Sequence, residues 1–169
     1  MRQIIFRGKR IDNNKWTEGS LISLGDGAMI TPHRAKLVQD GYNISTKAFE
    51  VDPETLGQST EMHDRYNTLV FENDIVEFVG GGSTSRYLIW WNREMSMMTA
   101  VPIHGIYFNG HDYGNGDYQN FNYSTFCLMM QDPWGDFSDI RVIGNIHDNP
   151  ELLNGCKNYG TEVLPNGRF

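Results

Sequence analysis

Short runs of apolar and β-branched residues, each broken by turn-forming residues, fill most of this chain, and no long stretch carries helical periodicity. The pattern predicts strands. Residues 3–24 read as a hairpin, in which Ile4-Ile5-Phe6 leads into Arg7-Gly8-Lys9-Arg10-Ile11 and Lys15-Trp16-Thr17-Glu18-Gly19-Ser20-Leu21-Ile22 returns. Asp12-Asn13-Asn14 makes the corner, since Asp and Asn tolerate the left-handed backbone of a tight reversal. Gly25-Asp26-Gly27 gives a second turn, then a short strand at Ala28-Met29-Ile30 that breaks at Pro32. Residues 33–43 read as an exposed loop, and Phe49-Glu50-Val51 as a further strand.

Residues 51–78 join the two parts of the chain. Asp52-Pro53-Glu54-Thr55-Leu56-Gly57 reads as one capped turn. Asp52 accepts from free backbone N–H groups, Pro53 supplies a preset φ, and Gly57 permits a positive φ at the exit. Leu69-Val70-Phe71 and Ile75-Val76-Glu77-Phe78 flank a tight corner at Glu72-Asn73-Asp74 and look like the entry to a small barrel.

Beyond Phe78, Gly80-Gly81-Gly82-Ser83-Thr84-Ser85 reads as a flexible loop. It is not a phosphate loop, because no Lys follows in the Walker arrangement. Tyr87-Leu88-Ile89-Trp90-Trp91 is the most apolar run and predicts a central strand, turned back at Asn92-Arg93-Glu94 into Met95–Val101. Residues 104–139 combine dense turn signals with aromatic residues and read as a long insertion between two barrel strands. Asp139–Ile146 is the closing strand. Asn149-Pro150-Glu151-Leu152-Leu153 is one helical turn, with Asn149 as cap and Pro150 at its first position. The expected architecture is mainly β: an N-terminal hairpin or small sheet, then a small SH3-like β-barrel with a long aromatic-rich insertion and few short helical turns. The regions are 1–50, 51–153 with insertion 104–139, and a loose tail 154–169, forming one compact unit.

At 169 residues the chain can bury about two-thirds of its unfolded surface. No apolar run approaches the roughly 20 residues of a membrane span, and MRQIIFRGKR lacks the apolar core of a signal peptide. A cytoplasmic protein is expected, with Cys127 and Cys156 as free thiols. The net charge of −7 is unevenly spread. Residues 1–47 hold eight Lys/Arg and four Asp/Glu, and the other 122 hold six and 17. Opposite fields of this kind favour docking of the two parts, within a subunit or between subunits; two solvated faces are the alternative.

Candidate chemistry is sparse. His63-Asp64, His111-Asp112 and His147-Asp148 suggest metal ligands, with only His33 and His104 as further partners. The pairs fall in predicted turns, where Asp accepts local N–H groups, so no metal or cofactor is expected. Glu72 and Asp74, with Glu77 nearby, read as turn formers and solvated strand residues rather than an acid–base pair. No catalytic residue is assigned. Arg7, Lys9, Arg10, Lys15 and Trp16 form a candidate nucleic-acid face on the hairpin, or else a charged edge that discourages aggregation. Tyr107, Phe108, Tyr113, Tyr118, Phe121, Tyr123 and Trp134 are candidate interface residues in a segment with few charges.

Three ordered segments resemble the YopX family of phage and prophage proteins. They are Phe6-Arg7-Gly8-Lys9-Arg10 with Trp16; Val51-Asp52-Pro53-Glu54-Thr55-Leu56-Gly57-Gln58 with Thr60, Asp64 and Asp74-Ile75-Val76; and Val142-Ile143-Gly144-Asn145-Ile146 with Asn149-Pro150-Glu151-Leu152. They bracket residues 2–153. The family pattern usually has Gly where this chain has Glu61, Asn67 and Asn73. Asn keeps a positive-φ turn accessible, whereas the turn at Glu61 is expected to be rebuilt. The resemblance implies a phage or prophage origin, a largely β architecture and self-assembly, and it supplies no catalytic residue. The functional expectation is a non-enzymatic interaction or self-assembly module, a homo-oligomer or a partner of a host or phage protein. Nucleic-acid binding through the hairpin is the alternative, and an acidic surface mimicking DNA a further one.

Overall fold

The computed structural model describes residues 4–33, 35, 38–40, 43–80, 83–92, 96–103, 107–108, 111–112 and 140–153. Two units are distinguished: residues 1–63 with 69–72, and residues 64–68 with 73–169.

The first unit is built on β1 (Phe6–Lys9), β2 (Trp16–Leu24), β3 (Gly27–Pro32), β4 (Val38–Asp40), β5 (Asn43–Ser45), β6 (Phe49–Val51), β7 (Gly57–His63) and β8 (Leu69–Phe71). Six of these form one antiparallel sheet in the order β6-β3-β2-β1-β7-β8. The predicted hairpin is present, with Phe6 opposite Gly19 and Lys9 opposite Trp16. Its Asp-Asn-Asn corner closes through Asn14, at φ 58°. Strand alternation gathers Ala28, Ile30 and Val51 into a buried cluster, flanked by Phe6, Leu21 and Leu56. The expected loop at 33–43 instead includes β4, which pairs with β5 as a separate two-stranded piece.

The second unit carries β9 (Asp74–Gly80), β10 (Ser83–Asn92), β11 (Met97–Pro102), β12 (Tyr107–Phe108), β13 (His111–Asp112) and β14 (Ile140–Asn145). The main sheet runs β11-β10-β9-β14, and β12 pairs with β13, Phe108 opposite His111. Ile75, Val76 and Ile89 are buried at its centre. β10 is central, as its apolar run predicts.

Two antiparallel sheets therefore replace the expected barrel. Closure requires β11 to pair with β14, yet both are edge strands among the described residues. Backbone groups on the outer side of β14 are taken by a turn instead: Arg65 N donates to Ile140 O at 3.0 Å and Val142 N to Asp64 Oδ2 at 3.0 Å. The corner at Glu72-Asn73-Asp74 is not a barrel entry either. β8 precedes it in the six-stranded sheet and β9 follows it in the four-stranded one.

Two local expectations are also corrected. Glu61 keeps a positive φ of 65°, so its turn is not rebuilt. It sits where the β7–β8 register shifts, and Thr60 holds the irregularity by donating to Val70 O at 2.9 Å and accepting from Met62 N at 3.2 Å. Gly57 does not take a positive φ. A side chain there would place Cβ 2.7 Å from the Glu72 carbonyl oxygen, so glycine is required by close backbone approach.

Candidate interaction surface and the turns that support it

β1 is anchored by the capped turn at residues 52–57. Pro53–Thr55 forms a single 3-10 turn, and Asp52 accepts from Glu54 N at 3.0 Å. Thr55 Oγ1 donates to Asp52 O at 2.7 Å and accepts from Lys9 N at 2.8 Å. Asp52 N donates to Lys9 O at 2.8 Å. The turn thus satisfies both backbone groups of Lys9 and clasps the strand that bears the basic residues.

Those basic residues do not share one face. Arg7 and Lys9 lie on the same side of β1, and Lys9 is in register with Trp16. The Arg7 guanidinium lies 4.8 Å from the ring centres of both Trp16 and Phe71, and its Nη2 donates to Glu72 O at 3.3 Å. Lys9 Nζ lies 5.6 Å from Trp16. Arg10 instead stacks 3.7 Å over Phe49, whose register partner is the buried Ile30 on the core side, and it pairs with Asp12. Lys47 adds a second cation 4.9 Å from Phe49. Lys15 is exposed at the corner, its backbone N donating to Asn13 Oδ1 at 2.9 Å. Of the five candidates, Arg7, Lys9 and Trp16 come together, Arg10 joins a different aromatic, and Lys15 stands apart.

The residues that sequence reading missed are apolar. Ile22 and Leu24, two apart on β2, are exposed at 38% and 59%, while Leu21 between Ser20 and Ile22 packs beside the buried cluster. The period-two alternation of β2 could have identified them, because the run Leu21–Leu24 holds more apolar residues than one face can bury. Tyr107 and Phe108 form β12; Tyr113, Tyr118, Phe121, Tyr123 and Trp134 lie outside the described residues, as do Cys127, Cys156, His104 and the tail 154–169.

The carboxylates and amides of the second unit build structure. Asp64 Oδ1 accepts from Tyr66 N and Thr68 N, each at 2.8 Å, and its Oδ2 from Val142 N. Burial alone pushes the Asp64 carboxyl up, but N–H bonds from Val142, Thr68 and Tyr66, with the Thr68 side chain, outweigh it and hold it below the usual range. Asn145 Oδ1 accepts from His147 N and Asp148 N, and its Nδ2 donates to Asp148 Oδ2 at 3.0 Å. Gly144 leaves room for Asn149, whose Oδ1 would lie 2.5 Å from an added Cβ. Pro150–Leu153 is a 3-10 turn, with Leu152 N donating to Asn149 O at 3.0 Å.

Glu77 is not solvated. It is 4% exposed in the middle of the four-stranded sheet. Arg86 Nε donates to its Oε1 at 3.3 Å and Arg141 Nε to its Oε2 at 2.7 Å. Among the described residues no group of three His, Cys, Asp or Glu gathers as a metal site, and no helix is long and apolar enough to cross a membrane.

The sequence matches the family model described as YopX protein over residues 5–154. No curated protein matches the chain.

Proposed function

The chain belongs to the YopX family, and on that premise we propose that it is a phage-encoded, non-enzymatic protein-interaction module that associates with copies of itself. The observation that carries this reading is the outward side of β2, where Ile22 and Leu24 are exposed on neighbouring same-face positions. A contiguous exposed apolar patch is a means of protein contact, and these two side chains would supply its centre. The charge imbalance supports it: the basic residues 1–47 and the acidic, aromatic 104–139 are suited to meet across a subunit contact. Sedimentation velocity at low and high salt tests the reading. The mean mass falls as salt rises, and falls further in Ile22→Ser/Leu24→Ser; a salt-independent monomer overturns it.

The hairpin is less suited to nucleic acid. Trp16 and Phe49 each already carry two cationic groups of this chain, so stacking a base on either competes with those cations. Lys9→Glu/Lys15→Glu leaves the Arg7 anchor intact. Salt-sensitive binding of single-stranded DNA or RNA by the unmodified protein, abolished in this variant, would restore that assignment.

A further inference from the structure

Among the described residues β14 is an edge strand, of unusual composition for its position. Ile140-Arg141-Val142-Ile143 is β-prone and apolar apart from one charge, and that charge is bonded to Glu77 within the same sheet. Exposed edges of this kind recruit further strands unless something blocks them, commonly a free Lys, a Pro or a covering loop. Here the cover is the turn at Asp64–Thr68.

The turn imitates a strand. Its Arg65 N–H reaches Ile140 O, and the Asp64 carboxylate takes the Val142 N–H in place of a backbone carbonyl. Residues 140 and 142, two apart, turn these groups away from β9, as an antiparallel edge requires. The turn is held to itself through Asp64 N to Thr68 O, Asn67 N to Asp64 O and the two bonds to Asp64 Oδ1. Among the described residues it reaches β14 through the two hydrogen bonds named, and Tyr66 at its tip is exposed.

We propose that the Asp64–Thr68 turn is a removable cap on the edge of β14, and that the uncapped strand pairs antiparallel with β14 of a second copy. A second copy fits because an antiparallel edge is self-complementary about a two-fold axis, and because the one charged side chain of β14, Arg141, is bonded to Glu77 within its own sheet. This surface is distinct from the contact proposed for residues 1–47.

Native-state hydrogen exchange of the unaltered protein gives the first test. The amides of Val142 and Arg65 exchange together, at least about ten-fold faster than the amides of β14 that face β9. If Val142 exchanges only with global unfolding, the cap is not removable and the proposal fails. The second test uses Asp64→Asn, which can keep the acceptor within the turn while setting an amide donor against the Val142 N–H. At high salt, where the charge-driven contact is screened, Asp64→Asn shows a mass that rises toward dimer with concentration while the unaltered protein's does not. Adding Val142→Pro removes the outward N–H and restores the lower mass. A folded Asp64→Asn protein with unchanged mass overturns the proposal. So does association that persists in the double variant.

Discussion

Glu61 holds a left-handed backbone that costs a residue with a Cβ about 1–2 kcal/mol, and bonds from Thr60 on either side keep it there. Glu61→Gly relieves that strain but loosens the unfolded chain, so a net gain of about 0.5–1 kcal/mol is expected in urea denaturation. Asp64 bears on acid stability. Its folded carboxyl lies below the ordinary value near 3.8, so its contribution is complete above that value and is lost as pH falls through the lower folded one. The urea midpoint of the unaltered protein is therefore expected to drop between about pH 5 and pH 3 more than that of Asp64→Asn. The positive φ at Asn67 and Asn73 was legible because Asn is tolerated there. The same φ at Glu61 was not, because one of the bonds that hold it, from Thr60 to Val70 O, runs across the β7–β8 pair.

At the scale of elements, the capped turn at 52–57 was readable from residue chemistry alone, since Asp and Pro fix its geometry locally. Its partner was not. That Thr55 spans from Asp52 to the Lys9 backbone depends on a contact 46 residues apart in the chain. Thr55→Val keeps the shape and removes both hydroxyl bonds, leaving the Lys9 N–H without its acceptor at a part-buried position. A loss of about 1–3 kcal/mol is expected, with Thr55→Ser recovering most of it in the same thermal melts. The basic hairpin was likewise readable as a hairpin, whereas the grouping of its basic residues was not. Alternation sends Arg7 and Arg10 to different aromatics, with Arg7 over Trp16 and Phe71 and Arg10 over Phe49.

For the whole molecule, strand content and order were visible in the short apolar runs, whereas closure was not. Whether four strands curl shut depends on which backbone edges remain free, and the edge of β14 is occupied by a turn whose sequence reads simply as a turn. Charge acts at this scale too. With a net charge of −7 at pH 7 and a pI near 5.1, the protein is expected to be least soluble near pH 5. A turbidity scan from pH 7 to 4 should peak there, in low salt.

Glu77 has one further consequence, for how the four-stranded sheet is assembled. It stands on β9 directly opposite Arg86 on one neighbour and Arg141 on the other. A slip of one residue on either side turns that arginine to the wrong face, and a slip of two on β10 sets Thr84 or Leu88 opposite the carboxylate. Either slip takes away one of the two countercharges of a buried carboxylate, and losing both costs about 3 kcal/mol or more, far more than a shifted apolar contact. One side chain therefore proofreads two strand alignments at once, and the apolar residues around it, which are nearly interchangeable, are spared that task.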